Sequence, residues 1–124
     1  MNVLLLDKKS PLSERLIQEI SELSDVHVRI QEPSDWEQKP IEAEPRFDVI
    51  LIDIDQSQGL GLDSIRRLRG RRGAGGPIIM VISSSPFLQY RANCLEAGAM
   101  YFFNRVREQD WLLDSLVAIQ EQIG

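Results

Sequence analysis

The sequence predicts an α/β fold: a three-layer α/β/α sandwich, doubly wound around a five-stranded parallel sheet. Three observations point there. The runs Val3-Leu4-Leu5-Leu6, Val49-Ile50-Leu51-Ile52 and Ile78-Ile79-Met80-Val81-Ile82 are continuously apolar, as strands buried on both faces are. Amphipathic helical patterns separate the strand patterns, and each parallel crossover needs such a covering helix. The apolar runs end in Asp7, Asp53 and Ser83, at strand carboxyl ends, where open parallel sheets bind their ligands.

Taken in order, the first strand is followed by Ser10, suited to cap a helix with Pro11 at its first position. Leu12, Leu16, Ile20 and Leu23 follow at steps of four, four and three, which makes that helix amphipathic. Val26, Val28 and Ile30 alternate with His27 and Arg29, a half-exposed strand near a sheet edge. The stretch 32–46 holds Pro33, Pro40 and Pro45 among seven charged residues and leaves room only for a short helix over 35–39. After Asp53, Leu62, Ile65 and Leu68 mark a helix that stops at the glycine-rich segment 70–76, and Pro77 opens the fourth strand. Pro86 begins a helix carrying Leu88, Ala92 and Leu95, with Gly98 as its C-cap and a fifth strand over 99–103. Leu112, Leu116, Ile119 and Ile123 define the last helix.

The length of 124 residues suits one domain, 1–124, large enough to bury a core but too short for several functional modules together. With 14 basic against 19 acidic residues the net charge is −5, which disfavours nucleic acid and anionic membranes and favours protein partners. Cys94 is the lone cysteine, so no internal disulfide forms. The N-terminus reads as a strand and not as a signal peptide, and no apolar stretch approaches the roughly 20 residues of a membrane span. The expected location is cytoplasmic.

The segments LLLDKKSPL, DVILIDIDQSQGLGLDSIRRLR, PIIMVISSS and LEAGAMYFFNR resemble, over essentially the whole chain, the response-regulator receiver domain of two-component signalling, whose fold is flavodoxin-like. The register through 48–69 needs no gap, and PFLQYRANCLEAGAMYFF is similar to small receivers without an output domain. The resemblance implies that Asp53 is the phospho-acceptor, with Gly61 as the loop glycine. It implies magnesium held by the Asp7 and Asp53 carboxylates and the Asp55 carbonyl, an oxygen set that suits this ion. Phosphoryl transfer needs a nucleophilic carboxylate and a cation to offset charge on the moving oxygens, most of the catalysis being positioning and electrostatics. Ser83 takes the hydroxyl position, donating to a phosphoryl oxygen and moving toward the site, if one counts back from Pro86. Counting forward from Pro77 puts Ile82 there, and Ser83 is preferred because the loop before the strand is the natural place for an extra residue. Phe102 falls at the switch aromatic, with an ordinary core role as its alternative.

The chain departs from the family pattern at three positions. Lys8 replaces the second member of the acidic pair, which weakens or abolishes magnesium binding. Lys8 either pairs with Asp53 as a built-in cation or points into water, while Asp55, two residues along an extended strand, would turn its carboxylate toward the metal. Arg105 stands at the family's lysine position, where its fork grips a phosphoryl group but is no substitute for a compact ammonium. Val106 replaces the following proline, so a cis peptide is not expected there.

The expected function is an atypical stand-alone receiver accepting a phosphoryl group on Asp53 from a histidine kinase or phosphotransfer protein. It would signal to a downstream protein through its last helices and strand, with a weak homodimer through the face 86–97, 99–103 and 108–123. Such a chain is no enzyme beyond its own phosphorylation and dephosphorylation. The alternative is a pseudo-receiver, an interaction module working without phosphorylation, which Lys8, Arg105 and Val106 favour. A flavodoxin-like enzyme is a third reading, but Asp7-Lys8-Lys9-Ser10-Pro11 has no glycine to cradle a cofactor phosphate. Arg66, Arg67, Arg69, Arg71 and Arg72 lack interleaved aromatics and a Walker pattern and read as a solvated face. His27 and Cys94 have no metal-ligand spacing.

Overall fold

The computed structural model describes residues 1–32, 47–56, 62, 63, 65, 66, 76–84 and 88–123. Five parallel strands form one sheet in the order β2-β1-β3-β4-β5: β1 Asn2–Leu6, β2 His27–Gln31, β3 Val49–Asp53, β4 Ile78–Ser83 and β5 Tyr101–Asn104. Three helices are described, α1 Pro11–Ser21, α2 Leu88–Ala97 and α3 Gln109–Ile123, and residues 62, 63, 65 and 66 are helical too. This is the α/β/α architecture that the apolar runs predict. The expected helix over 35–39, Gly61, Leu68, residues 70–75 and Pro86 lie outside the described residues.

Strand alternation splits the core in two. Val3, Leu5, Val49, Leu51, Met80, Ile82 and Phe103 pack under Leu16 and Ile20 of α1 and Leu112, Leu116 and Ile119 of α3. Leu4, Leu6, Ile50, Ile52, Ile79 and Val81 pack on the other face with Ile65 and with Cys94 and Ala97 of α2. Every residue of β3 is buried, as befits a central strand covered on both sides. The edge strand β2 keeps His27 and Arg29 exposed and Val28 and Ile30 half-buried.

The helix ends follow local chemistry. Ser10 caps α1: its Oγ accepts the Ser13 N–H at 3.2 Å, and Ser13 Oγ accepts the Ser10 N–H at 2.8 Å, a reciprocal box with Pro11 in the first turn. Ser13 is buried with its hydroxyl so employed, whereas Leu12 is exposed, and the apolar stripe starts at Leu16 and not at Leu12. Likewise Ile123 and Leu95 are exposed, and α2 buries Cys94 and Ala97 in place of the expected Ala92 and Leu95. Gly98 ends α2 with φ 129°, a conformation open to glycine, while the Ala99 N–H donates to the Cys94 carbonyl at 3.1 Å. That turn delays β5, which begins at Tyr101 and not at residue 99.

Candidate functional site

The carboxyl ends of β1, β3, β4 and β5 bring Asp7, Asp53, Ser83 and Arg105 to one rim. The ladder extends past the strands to fix two of them: the Asp7 N–H donates to the Gln31 carbonyl at 3.1 Å and the Arg105 N–H to the Ser83 carbonyl at 2.9 Å. At the last residue of β5, Asn104 Oδ1 accepts the N–H groups of Val106 and Arg107, both at 3.0 Å, and Glu108 Oε1 accepts the Asn104 N–H at 2.8 Å. This reciprocal cap sets the direction in which Arg105 leaves the sheet.

Arg105 points inward. Its Nη1 lies 2.9 Å from Asp7 Oδ2 and is also paired with Asp53 Oδ2, so one guanidinium nitrogen bridges both carboxylates. The pocket is closed: Asp7 is 1 % exposed and Asp53 3 %, and the Arg105 side chain is 10 % exposed. The pairing with Asp7 is Coulombic, because Asp7 Oδ2 lacks hydrogen-bond alignment, and Arg105 Nη2 is buried without a hydrogen-bond partner among the described residues. Asp7 Oδ1 accepts the Lys8 N–H at 2.8 Å and Asp53 Oδ1 the Asp55 N–H at 2.9 Å. Burial, joined by the negative charge of Asp7, pushes the Asp53 carboxyl up to about 6 against the pull of Arg105. Burial raises Asp7 in the same way, again opposed by Arg105.

Two buried anions share one cation. Arg105, and not Lys8, takes the cation's place beside Asp53; Lys8 is exposed and forms no ion pair among the described residues. The extended path expected through Asp55 is absent, since β3 stops at Asp53 and residues Ile54–Gln56 form a 3-10 turn. The Asp55 carboxylate turns to β4, where Oδ1 accepts the Ser83 hydroxyl at 2.8 Å and Oδ2 the Ser84 N–H at 2.7 Å.

The two candidates for the hydroxyl position separate by face. Ile82 is the register partner of Asp53 and belongs to the Val49 and Leu51 side of the sheet, the side on which alternation also places Asp53. Ser83 follows the Ile79 and Val81 side and is bonded to Asp55. β4 therefore aligns an apolar side chain with Asp53. Phe102 is half-buried and packs against the α2 side of the sheet, while its neighbours Tyr101 and Phe103 stack with ring centroids 5.7 Å apart. No described peptide bond is cis.

Magnesium demands near-octahedral oxygen ligands. The two carboxylate oxygens expected to hold it, Asp7 Oδ2 and Asp53 Oδ2, converge on Arg105 Nη1, and both carboxylate oxygens of Asp55 are engaged at β4, which leaves its main-chain carbonyl as the one expected ligand not tied to another group by these contacts. No cluster of three or more His, Cys, Asp or Glu suited to a metal occurs among the described residues. As folded, this donor set does not fit the ion. Sequence reasoning missed the bridge from Arg105 to Asp7 and the cap that delivers it. The spacing of Asn104 at the strand's end and Glu108 four residues on was the available signal.

No protein-family model matches the chain, and no curated protein matches it in sequence. Solved structures do. The chain is similar to a response regulator receiver protein from Pseudoalteromonas atlantica, with a TM-score of 0.80, 16 % identity and 100 % of both chains covered. It is similar to the Mn2+-bound form of response regulator Rcp1, with a TM-score of 0.68, 17 % identity and 96 % and 91 % covered. It is also similar to an atypical orphan response regulator described as having a phosphorylation-independent regulatory mechanism, with a TM-score of 0.73, 17 % identity and 95 % and 90 % covered. The fold is that of response-regulator receiver domains, a five-stranded flavodoxin-like sheet in the order 2-1-3-4-5. No described helix is long and apolar enough to cross a membrane.

Proposed function

We propose that this chain is a receiver-fold protein-interaction module that works without phosphorylation of Asp53. The observation that carries the reading is Arg105 Nη1 bridging Asp7 and Asp53 inside a closed pocket. A carboxylate paired with a buried guanidinium is a poor nucleophile, and an ion-paired acidic couple is a poor magnesium site. Ile82, aligned with Asp53, offers no hydroxyl to a phosphoryl oxygen, and Lys8 adds no carboxylate. The described regulator with a phosphorylation-independent mechanism supports the same direction. On this reading the chain is a cytoplasmic signalling module and not an enzyme. Its partner is a protein, met through the face of α2, β5 and α3, where Met100 and Trp111 are exposed.

The competing reading, a slow magnesium-dependent phospho-acceptor served by a histidine kinase or phosphotransfer protein, draws on the convergence of Asp7 and Asp53 at one rim. Incubation with magnesium and acetyl phosphate, followed by intact-mass measurement, separates the two. The expected spectrum is unchanged for the wild type and for Asp53→Ala. A wild type that gains one phosphoryl mass, with Asp53→Ala remaining blank, would overturn the proposal.

A further inference from the structure

The turn after Asp53 is tied to the end of β4 by a contact that neither metal binding nor phosphoryl transfer uses. One carboxylate, Asp55, spends both oxygens on two consecutive residues, taking the Ser83 hydroxyl at 2.8 Å and the Ser84 N–H at 2.7 Å. Hydrogen bonds to an ionised acceptor are the stronger kind. The turn that carries Asp55 is itself anchored, because the Asp55 N–H donates to Asp53 Oδ1 at 2.9 Å. A continuous path runs from the buried Asp53, through the Asp55 backbone and carboxylate, to the residues that close β4.

By the resemblance, the hydroxyl at the end of β4 is free to move toward an anion that arrives and leaves. Here an anion is built into the chain and already holds that hydroxyl. We propose that Asp55 is a permanent latch, a positioning residue that fixes Ser83 and Ser84 in one conformation regardless of any group on Asp53. The strand end leading toward α2, which begins at Leu88, is then presented in a single state. This deepens the phosphorylation-independent reading and rests on it, naming what sets the state of the β4 end when no phosphoryl group does. Asp55 is exposed while Ser83 is fully buried, so the latch closes from the solvent side over a buried donor.

Hydrogen exchange resolved at single amides tests the latch. In Asp55→Ala the Ser84 amide is expected to exchange at least tenfold faster than in the wild type, with the Val81 amide in the middle of β4 unchanged. Exchange at Ser84 within twofold of the wild type would overturn the proposal. Should Asp55→Ala exchange throughout, Val81 included, Asp55→Asn replaces it. That variant keeps the shape but replaces the charged acceptor of the Ser84 N–H by a neutral amide oxygen, whose hydrogen bond is weaker, so about threefold faster exchange confined to Ser84 supports the latch, and no change there overturns it. In the wild type, magnesium and acetyl phosphate should leave Ser84 exchange unaltered. If the wild type gains phosphoryl mass while Asp55→Ala still frees Ser84, the latch stands and the phosphorylation-independent reading falls.

Discussion

The rim of the sheet has two halves that use carboxylates in opposite ways. On the β1, β3 and β5 side, Asp7 and Asp53 are buried, carry raised proton affinity, and share a single guanidinium whose Nη2 has no hydrogen-bond partner among the described residues. On the β4 side, Asp55 is exposed, and both of its oxygens accept well-placed donors. Removing a charge from water is costly unless pairing is complete, so the first half is under electrostatic load and the second is not. What a carboxylate does to this fold is set by its burial and by the balance of partners, more than by its position after a strand.

Breaking the loaded half has the largest expected effect. Arg105→Ala leaves two buried carboxylates facing one another without a cation, and loss of one partner of a buried pair typically costs about 3–5 kcal/mol. Urea unfolding at pH 7 should show a loss of that size. Part of it should return at pH 5, where the carboxyls, raised further without Arg105, take up protons. A loss below about 1 kcal/mol, the range of exposed ion pairs, would mean that the guanidinium does not hold the pocket.

Neutralising Asp53 should act in the opposite direction. Its carboxyl sits at about 6 in the folded chain against an ordinary 3.8, so the folded state holds the proton more tightly than the unfolded state does. The stabilisation from that proton is complete below about pH 4 and is lost as pH rises through 6, with Asp7 shifted in the same direction. Asp53→Asn keeps the Asp7–Arg105 pair and removes the surplus charge. It should be more stable than the wild type at pH 7 by on the order of 2 kcal/mol and should flatten the decline between pH 4 and 6. Denaturation midpoints across that range read both effects; an Asn variant less stable than the wild type at pH 7 would show that the cluster is not overcharged.

These differences explain what the sequence disclosed. The continuous apolar runs located β1, β3 and β4 to within a residue, because a strand buried on both faces has no other composition, and they delivered Asp7 and Asp53 to the same rim. Amphipathic spacing was less telling in α2, where small residues do the packing: Cys94 and Ala97 face the sheet and Leu95 does not. Side-chain partners at the rim were not legible from position alone. Lys8 adjoins Asp7 in the chain but is solvated, whereas Arg105 reaches both acids because the ladder and the Asn104 cap aim it there. Asp55 eluded the strand-parity argument, since parity fails once the chain leaves β3 for a 3-10 turn.

The cap itself supplies the mildest and most discriminating perturbation. Asn104→Ala removes the acceptor for the Val106 and Arg107 N–H groups and should cost about 1 kcal/mol, the usual value for a lost cap. Ser10→Ala at the head of α1 should cost a similar amount through the same physics, yet its cap does not set a residue of the pocket. The pair therefore separates local helix stability from delivery of the cation. Combined with Arg105→Ala, Asn104→Ala should be less than additive by about 0.5–1 kcal/mol, because once the guanidinium is gone its aim no longer matters. Ser10→Ala combined with Arg105→Ala should add within experimental error. Equal coupling in the two cycles would mean that Asn104 stabilises the start of the final helix without directing Arg105 into the pocket.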